Sequence, residues 1–205
     1  MLSARTVALR VATLVGANVA AGRTITGPLR GLPLEHPATT RLRAAGGPRA
    51  QAVAVTLSRS ADTAWAIGIA AIATGSLAVR GTRTAAAPGL AMSLASATHV
   101  VSSVLVGRPR PVDERLGTAH PTSSFPSGHV GAMTALATVL DGLAAGLPTG
   151  ARVVLRLGML GYLGLLGWSR VYTGQHHVTD VLAGYLNGAA CGRWTLDALG
   201  RPERP

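Results

Sequence analysis

The sequence contains no lysine and few acidic residues. Of its 205 residues, 19 are arginine and 8 are Asp or Glu, which gives a net charge of +11. Charged residues make up 13% of the chain, whereas they make up about a quarter of a typical soluble domain. Collagen, a coiled coil and a disordered tail are excluded, because neither their repeats nor their charge density is present. Arginine without lysine, beside abundant Ala and Gly, indicates compositional bias rather than a function for each arginine.

Cysteine and aromatic residues are also scarce. The single cysteine, Cys191, excludes an internal disulfide and a metal site built from cysteines. Aromatic residues make up only 3% of the chain, whereas nucleic-acid binding by a basic domain relies on aromatic stacking. We therefore expect no nucleic-acid partner. With 48% hydrophobic residues, the composition favours an integral membrane protein.

Long apolar runs recur at lengths that suit a bilayer, where a spanning helix needs about 20 residues. Five runs are almost free of charge: residues 64–79, 85–106, 130–147, 153–168 and 178–194. A weaker run, residues 7–21, is interrupted by Arg10. It could be a sixth span, an interfacial amphipathic helix or the apolar part of a signal peptide. The sequence predicts an all-α polytopic membrane bundle of about six transmembrane helices, in one domain over residues 1–205.

Residues 22–60 differ from the rest of the chain because they are polar and rich in arginine and proline. Prolines interrupt regular structure and concentrate in turns. We therefore predict a long basic loop here.

Two sets of regularly spaced glycines lie in the predicted spans. Gly184, Gly188 and Gly192 recur every fourth residue, a spacing that would let a neighbouring helix approach closely. A Gly-rich composition could also produce this triple by chance. Glycines every third residue, at 158, 161, 164 and 167, drift around a helix, and we interpret them as tight packing.

Three polar clusters lie at the ends of predicted spans: residues 107–111 (Gly-Arg-Pro-Arg-Pro), 126–129 (Pro-Ser-Gly-His) and 169–180. If residues 7–21 span the membrane, the first two share the loop between the third and fourth spans, and the last follows the fifth. Loops two apart in a serpentine chain lie on the same side of the membrane. All three clusters are therefore predicted to meet at one face.

The residue types in these clusters suit a phosphate group. Arg110 and Arg170 offer planar guanidinium groups that match phosphate oxygens. Ser127 and Gly128 open a helix, where free backbone N–H groups favour an anion.

The third cluster also contains a candidate nucleophile. His176 and Asp180 are four residues apart, which would place them on one helical face, where the carboxylate could hold the imidazole as in a catalytic triad. His176 could then attack phosphorus and form a phosphohistidine. His129 would protonate the departing alkoxide and later activate water. No metal or other cofactor is predicted, because the few carboxylates could not assemble a two-metal site.

The order Arg-Pro, Pro-Ser-Gly-His and Ser-Arg-x5-His-x3-Asp resembles the type 2 phosphatidic acid phosphatase superfamily, over residues 85–194. That superfamily includes lipid phosphate phosphatases, polyprenyl diphosphate phosphatases and vanadium-dependent haloperoxidases. The resemblance implies a six-helix core, with His176 as nucleophile, Asp180 as its partner and His129 as general acid. It also implies a set of phosphate-binding residues: Arg110, Ser127, Gly128 and Arg170.

One position departs from the family pattern. The first family motif is Lys-x6-Arg-Pro, and counting back from Arg110 places Ser103 where the lysine would be. Serine can donate a hydrogen bond but carries no charge, so phosphate binding should weaken unless another cation compensates. Arg108 is the nearest candidate. We therefore include Ser103 and Arg108 among the predicted phosphate-binding residues.

The resemblance implies a metal-independent membrane phosphatase. Its expected substrate is a lipid-linked phosphomonoester or diphosphate, such as phosphatidic acid or a polyprenyl phosphate. Three alternatives stay open: phospho-group transfer from the same site to another acceptor, a haloperoxidase, and a membrane packing protein with a degraded site. The apolar spans argue against the haloperoxidase, because those relatives are soluble. The expected partners are the lipid substrate and membrane lipids, and the oligomeric state stays open.

The distribution of arginine predicts the orientation in a cell membrane. With six spans, the short connections and both termini share one arginine-rich side, which the positive-inside rule assigns to the cytoplasm. The site would then face the extracytoplasmic side. If residues 7–21 do not span, the site would face the cytoplasm.

Overall fold

The computed structural model describes residues 4–29, 31–33, 35, 37–111, 114–118 and 122–200. Eight helices occur within these ranges, and none of the described residues forms a strand. The helices are α1 (Ala4–Thr26), α2 (Ala38–Ala45), α3 (Pro48–Arg59), α4 (Thr63–Leu77), α5 (Thr82–Val106), α6 (Gly128–Leu143), α7 (Thr149–Tyr172) and α8 (Val178–Leu199). Short 3-10 turns, Ala78–Arg80 and Ala144–Gly146, follow α4 and α6.

Every predicted apolar run coincides largely with one helix, although the runs 64–79 and 130–147 extend past the ends of α4 and α6. The all-α bundle is confirmed. Three segments are long and apolar enough to cross a membrane: Thr63–Arg80, Thr82–Val106 and Thr149–Tyr172. The weakest run lies within α1, which has 23 residues and is long enough to span about 30 Å of hydrocarbon.

The centre of the bundle is formed by α5, α6 and α8, with the most extensive contact between α6 and α8. Glycines on α8 make this contact possible, as their four-residue spacing predicts. A Cβ atom at Gly184 would lie 2.7 Å from the Ser127 carbonyl oxygen, and one at Gly188 would collide with the Gly131 carbonyl oxygen. The backbone of α8 therefore lies directly against the start of α6, which brings two of the polar clusters together.

The interpretation of the α7 glycines as tight packing is wrong at three of the four positions. A Cβ atom at Gly158, Gly161 or Gly164 would have no neighbour within 4 Å, and only Gly167 is closely packed, against Tyr185 and Val181. The reason is that α7 makes few contacts with α8. Most of its glycines therefore face away from the packed core.

The prediction of a continuous loop over residues 22–60 is also wrong, because α2 and α3 lie within it. Pro48 occupies the first turn of α3, where a missing N–H group costs no hydrogen bond. Pro37 is the N-cap of α2. Proline therefore marks the starts of these helices rather than excluding them. Helix α3 packs against α7 and contributes to the site described next.

Candidate active site

The three predicted clusters meet at one end of the bundle. Arg110 donates a hydrogen bond to the Gln175 carbonyl oxygen, at 2.5 Å. The Ser127 backbone N–H donates to the Asp180 carbonyl oxygen at 2.9 Å. The imidazole of His176 lies 2.7 Å from the Ser124 carbonyl oxygen. These contacts join the segment before α6 to the connection between α7 and α8.

His176 is held as a neutral imidazole with one nitrogen lone pair available. Its Nδ1 contacts the Ser124 carbonyl oxygen, and a carbonyl oxygen can only accept, so Nδ1 carries the proton. The lone pair is then on Nε2, which lies 3.4 Å from Nη2 of Arg170. Burial, together with Arg170 and Arg110, holds the pKa of His176 well below its ordinary value of 6.5. The ring is 2% exposed and can act as a nitrogen nucleophile.

Asp180 does not hold the ring as the sequence pattern suggests. Its Oδ2 lies 3.8 Å from Nδ1 of His176, which is beyond hydrogen-bond distance. Asp180 instead accepts from the backbone N–H of His177 at 2.8 Å and completes a capping box at the start of α8. Helix α8 begins at Val178, so His176 lies outside the helix and the four-residue rule does not apply. The Ser124 carbonyl takes the orienting role, while the carboxylate stays close to the ring.

Arg170 is anchored by α3, which lies within residues 22–60, the stretch predicted as a loop. It is 1% exposed, and its Nη1 donates to Oγ of Ser58, on α3, at 2.7 Å. Helix α3 thus fixes the guanidinium while Nη2 remains beside His176.

Arg110 is held by neutral acceptors. Its Nη1 contacts Gln175 and its Nη2 donates to the Thr122 carbonyl oxygen at 3.0 Å. Burial, followed by the nearby Arg115, lowers the pKa of Arg110 to about 10. The guanidinium is therefore charged at neutral pH, although no carboxylate forms an ion pair with it among the described residues.

Three buried polar atoms of this site have no hydrogen-bond partner in the described part of the chain: Nε of Arg110, Nε of Arg170 and Oγ of Ser127. Buried polar groups are nearly always bonded, so exceptions require an explanation. Two guanidinium donors and a hydroxyl at the start of α6 suit an oxyanion such as phosphate. We call His176, Arg110, Arg170 and Ser127 the reactive cluster.

Gly128 serves the packing of the site. A Cβ atom there would lie 2.7 Å from Cδ2 of His99, so the start of α6 can approach α5 only with glycine. The His99 ring also contacts the Pro126 carbonyl oxygen through Nδ1, at 2.8 Å. His99 is therefore a hydrogen-bonded packing residue beneath the reactive cluster.

His129, on the first turn of α6, has a carboxylate partner that no sequence pattern predicted. Its Nε2 lies 3.2 Å from Oδ1 of Asp62. The other oxygen of Asp62 accepts from Oγ1 of Thr118 at 2.8 Å. The His129 and Asp62 side chains are 15% and 21% exposed, whereas His176, Arg170 and Ser127 are at most 2% exposed. The only local signal for Asp62 is its position as N-cap of α4, which does not link it to His129.

Arg108, predicted to replace the missing lysine, is instead neutralised. Its Nη1 contacts Oδ1 of Asp180 at 2.5 Å, and its Nη2 contacts Oε2 of Glu35 at 3.0 Å. Burial alone would raise the pKa of Glu35, but hydrogen bonds from Thr179 and Arg108 hold it below its ordinary value. We call Glu35, Arg108 and Asp180 the ion triad. Its contacts give Arg108 a structural role rather than the predicted phosphate contact.

Ser103 supports the loop that carries the Ser124 carbonyl. It is 1% exposed, and Oγ of Ser123 contacts its carbonyl oxygen at 2.8 Å and its hydroxyl at 3.2 Å. The hydroxyl predicted to face phosphate is thus bonded to Ser123. Ser103 acts on the site through the segment that orients His176.

No group of three or more His, Cys, Asp or Glu side chains is placed to hold a metal ion within the described ranges. The site that these residues form is one of arginines, histidines and backbone groups.

Comparison with known proteins gives a family and two structural neighbours. A sequence profile of the PAP2 superfamily matches residues 84–203. A transmembrane PAP2 type phosphatidylglycerolphosphate phosphatase from Bacillus subtilis is similar in structure, with a TM-score of 0.76 and 20% identity over 97% of this chain and 98% of that one. LpxE from Aquifex aeolicus is similar with a TM-score of 0.60 and 23% identity, over 81% of this chain and 96% of that one. No curated protein matches in a sequence search.

Proposed function

The chain belongs to the PAP2 superfamily, and on that premise we propose that it is an integral membrane phosphatase acting on a lipid-linked phosphomonoester or diphosphate. The observation that carries the proposal is the neutral His176 ring, whose Nε2 lone pair lies beside Arg170, in a site where three buried polar atoms lack a hydrogen-bond partner among the described residues. The description of the Bacillus subtilis neighbour as a phosphatidylglycerolphosphate phosphatase supports a lipid substrate.

In the first step, Nε2 of His176 attacks phosphorus while the bond from phosphorus to the leaving oxygen breaks. His129 donates its proton to that oxygen, and the lipid alcohol, or the lipid monophosphate from a diphosphate, departs. Arg110, Arg170 and the start of α6 stabilise the charge on the transferring phosphoryl oxygens. The Nδ1 proton stays on the His176 ring, hydrogen-bonded to the Ser124 carbonyl oxygen, so the product of this step is a phosphohistidine.

In the second step, His129, now neutral, accepts a proton from water as the water oxygen attacks phosphorus. The bond to Nε2 breaks, inorganic phosphate leaves, and both histidines return to their starting states. Asp62 holds His129 through both steps, as an acid partner does in a catalytic triad. Neither step consumes a cofactor.

We propose a multi-pass arrangement in which α1, α4, α5, α6, α7 and α8 cross the membrane. The three most apolar segments support insertion. The arginines of the amino-terminal part and the short connections mark the cytoplasmic side. The reactive cluster then faces the extracytoplasmic side. A topology tag between α2 and α3, at Gly47, where an added Cβ atom meets nothing within 4 Å, tests this orientation.

The decisive experiment measures inorganic phosphate released by the purified protein from polyprenyl, glycerolipid and sugar-linked lipid phosphates. We expect His176→Ala to reduce turnover to background, because removal of a nucleophile typically costs about 10⁶-fold. Trapping of a ³²P-labelled protein in the wild type, absent in His176→Ala, tests the phosphohistidine. A variant that retains phosphatase activity without His176 contradicts the mechanism.

Transfer to an acceptor other than water shares the first step. Its test is the fate of the phosphoryl group: inorganic phosphate for hydrolysis, a phosphorylated alcohol for transfer. Turnover near background on every lipid phosphate, in a folded protein, indicates a degraded site.

A further inference from the structure

The geometry of the proposed reaction determines where the lipid must lie. In an in-line displacement, the leaving oxygen is opposite the attacking atom. His176 attacks from the buried side of the phosphate, so the leaving oxygen lies on the side of His129, the acid that protonates it. The rest of the lipid is attached to that oxygen. Its apolar chain must therefore leave the site past His129 and Asp62, the pair that is partly exposed.

An apolar groove lies on this side of the site, close to the His129 and Asp62 pair along the chain. It has a volume of about 430 Å³ and lies between α4 and α7, with α6 as its floor. Lining residues include Ile69, Met133, Ala137, Val154, Gly158 and Tyr162. The volume falls within the range of small-ligand sites.

Two residues that line the groove lie close along the chain to the acid side of the site. Met133 lies four residues after His129, on the same face of α6 and one turn deeper. Ser60, at the end of α3, also lines the groove and contacts the Tyr162 hydroxyl at 3.0 Å. Ser60 lies two residues from Asp62 and two from Ser58, the partner of Arg170. One end of the groove is therefore polar and adjacent to His129, while the remainder is apolar.

We propose that this groove binds the apolar chain of the substrate, an acyl or prenyl chain attached to the phosphate at the reactive cluster. The inference rests on the proposed phosphatase function. From Met133 to Leu140 the α6 floor is about 10 Å long, so the groove holds the first part of one chain and leaves the remainder in the bilayer. The protein then selects phosphates that carry a chain over water-soluble phosphate esters.

Gly158 provides the test, because a Cβ atom there would meet nothing within 4 Å. Leucine at this position can occupy the groove without disturbing the packed core, and it replaces a poor helix former with a good one. Gly161 lies three residues further along α7, has the same open surroundings and does not line the groove. Gly161→Leu is therefore a matched control.

The experiment compares phosphate release by wild type, Gly158→Leu and Gly161→Leu from dioleoyl phosphatidic acid and from chainless glycerol 3-phosphate, in mixed micelles. We expect Gly158→Leu to lower kcat/KM for the dioleoyl substrate about tenfold or more, because contacts of several methylene groups are lost. Release from glycerol 3-phosphate should not change in this variant. Gly161→Leu should change neither. Equal losses on both substrates, or equal effects of the two variants, overturn the proposal.

A binding experiment separates the groove from the catalytic proposal. Phosphatidic acid with a diazirine on its chain is photolysed with each protein, and labelled peptides are identified by mass spectrometry. We expect labels on α6 and α7 residues of the groove in wild type and Gly161→Leu, and few in Gly158→Leu. Such labelling without phosphate release supports the groove and contradicts the phosphatase. Equal labelling of the groove by a diazirine phosphatidylcholine means that bilayer lipid covers it, which overturns the proposal.

Discussion

Arg108 and Arg110 are two residues apart in the same loop, yet their environments differ completely. Arg108 lies between two carboxylates, Glu35 and Asp180. Among the described residues, the hydrogen-bond partners of Arg110 are neutral acceptors, the oxygens of Gln175 and Thr122. Carboxylates therefore balance the charge of Arg108, whereas no described carboxylate pairs with Arg110.

This difference separates structure from chemistry at the site. The ion triad joins the connection after α1 to the loop after α5 and to the start of α8. The reactive cluster retains positive charge and unpartnered donors that a phosphate dianion can use. A buried arginine therefore indicates an anion site only when no internal carboxylate neutralises it.

In the comparison of the two arginines, the largest expected effect is the loss of catalysis in Arg110→Ala. We expect kcat/KM for lipid phosphate to fall about 10³-fold, the scale of removing one preorganised donor to the transition state. Arg110→Lys should recover part of this loss, because it restores charge without the planar fork. Thermal unfolding in detergent should change little in either variant, since the partners of Arg110 are neutral carbonyl groups and no buried carboxylate loses its cation. A large loss of stability would instead place Arg110 with the ion triad.

The ion triad should respond in the opposite way. Arg108→Ala leaves two buried carboxylates without their cation, which should lower the free energy of unfolding by about 3–5 kcal/mol. The measurement is the unfolding midpoint in detergent, with Arg110→Ala as the matched variant two residues away. Loss of activity at unchanged stability would show that Arg108 binds phosphate after all.

Asp62→Asn should have an intermediate effect, because it acts through His129. We expect kcat/KM, which reports only the first step, to fall about 10- to 100-fold, part of the 10²–10⁴-fold that a general acid contributes. The loss should be much smaller for p-nitrophenyl phosphate, whose leaving group needs no proton. Equal losses on both substrates would mean that Asp62 only maintains the fold.

How far the sequence predicts the site depends on how local each interaction is. Arg110, Arg170 and His176 lie in short motifs, so their residue types and spacing predict them as site candidates, and the structure brings them close together. Asp62 and Ser58 lie in or beside the stretch predicted as loop, and they reach the site only because α3 packs against α7. No local pattern encodes that contact. The Ser124 group that orients His176 is a backbone carbonyl, which is the same for every residue type.

The pH dependence of the reaction tests the electrostatic coupling within the reactive cluster. His176 must be neutral to attack, and burial with Arg170 and Arg110 lowers its pKa well below 6.5. Activity that depends on His176 is therefore lost only as pH falls below the ordinary histidine range. In Arg110→Gln one of the positive charges is removed, so the pKa of His176 should rise. The acidic limb of log kcat/KM should move to higher pH relative to wild type on the same substrate. An unmoved limb contradicts the coupling.

The smallest expected effect is at Ser103, the position where the family has lysine. Ser103→Ala removes the longer of two contacts from Ser123, while the shorter bond to the Ser103 backbone carbonyl remains. A neutral hydrogen bond contributes about 0.5–1.5 kcal/mol, so kcat/KM should fall by no more than about 12-fold. Ser123→Ala removes both contacts and should cost more, because the segment that carries the Ser124 carbonyl then loses both of these hydrogen bonds to Ser103. If Ser103→Ala instead raised KM strongly while Ser123→Ala had no effect, the Ser103 hydroxyl would contact phosphate directly. The expected order, with Ser123 above Ser103, would mean that this chain uses position 103 to hold the loop that orients its nucleophile.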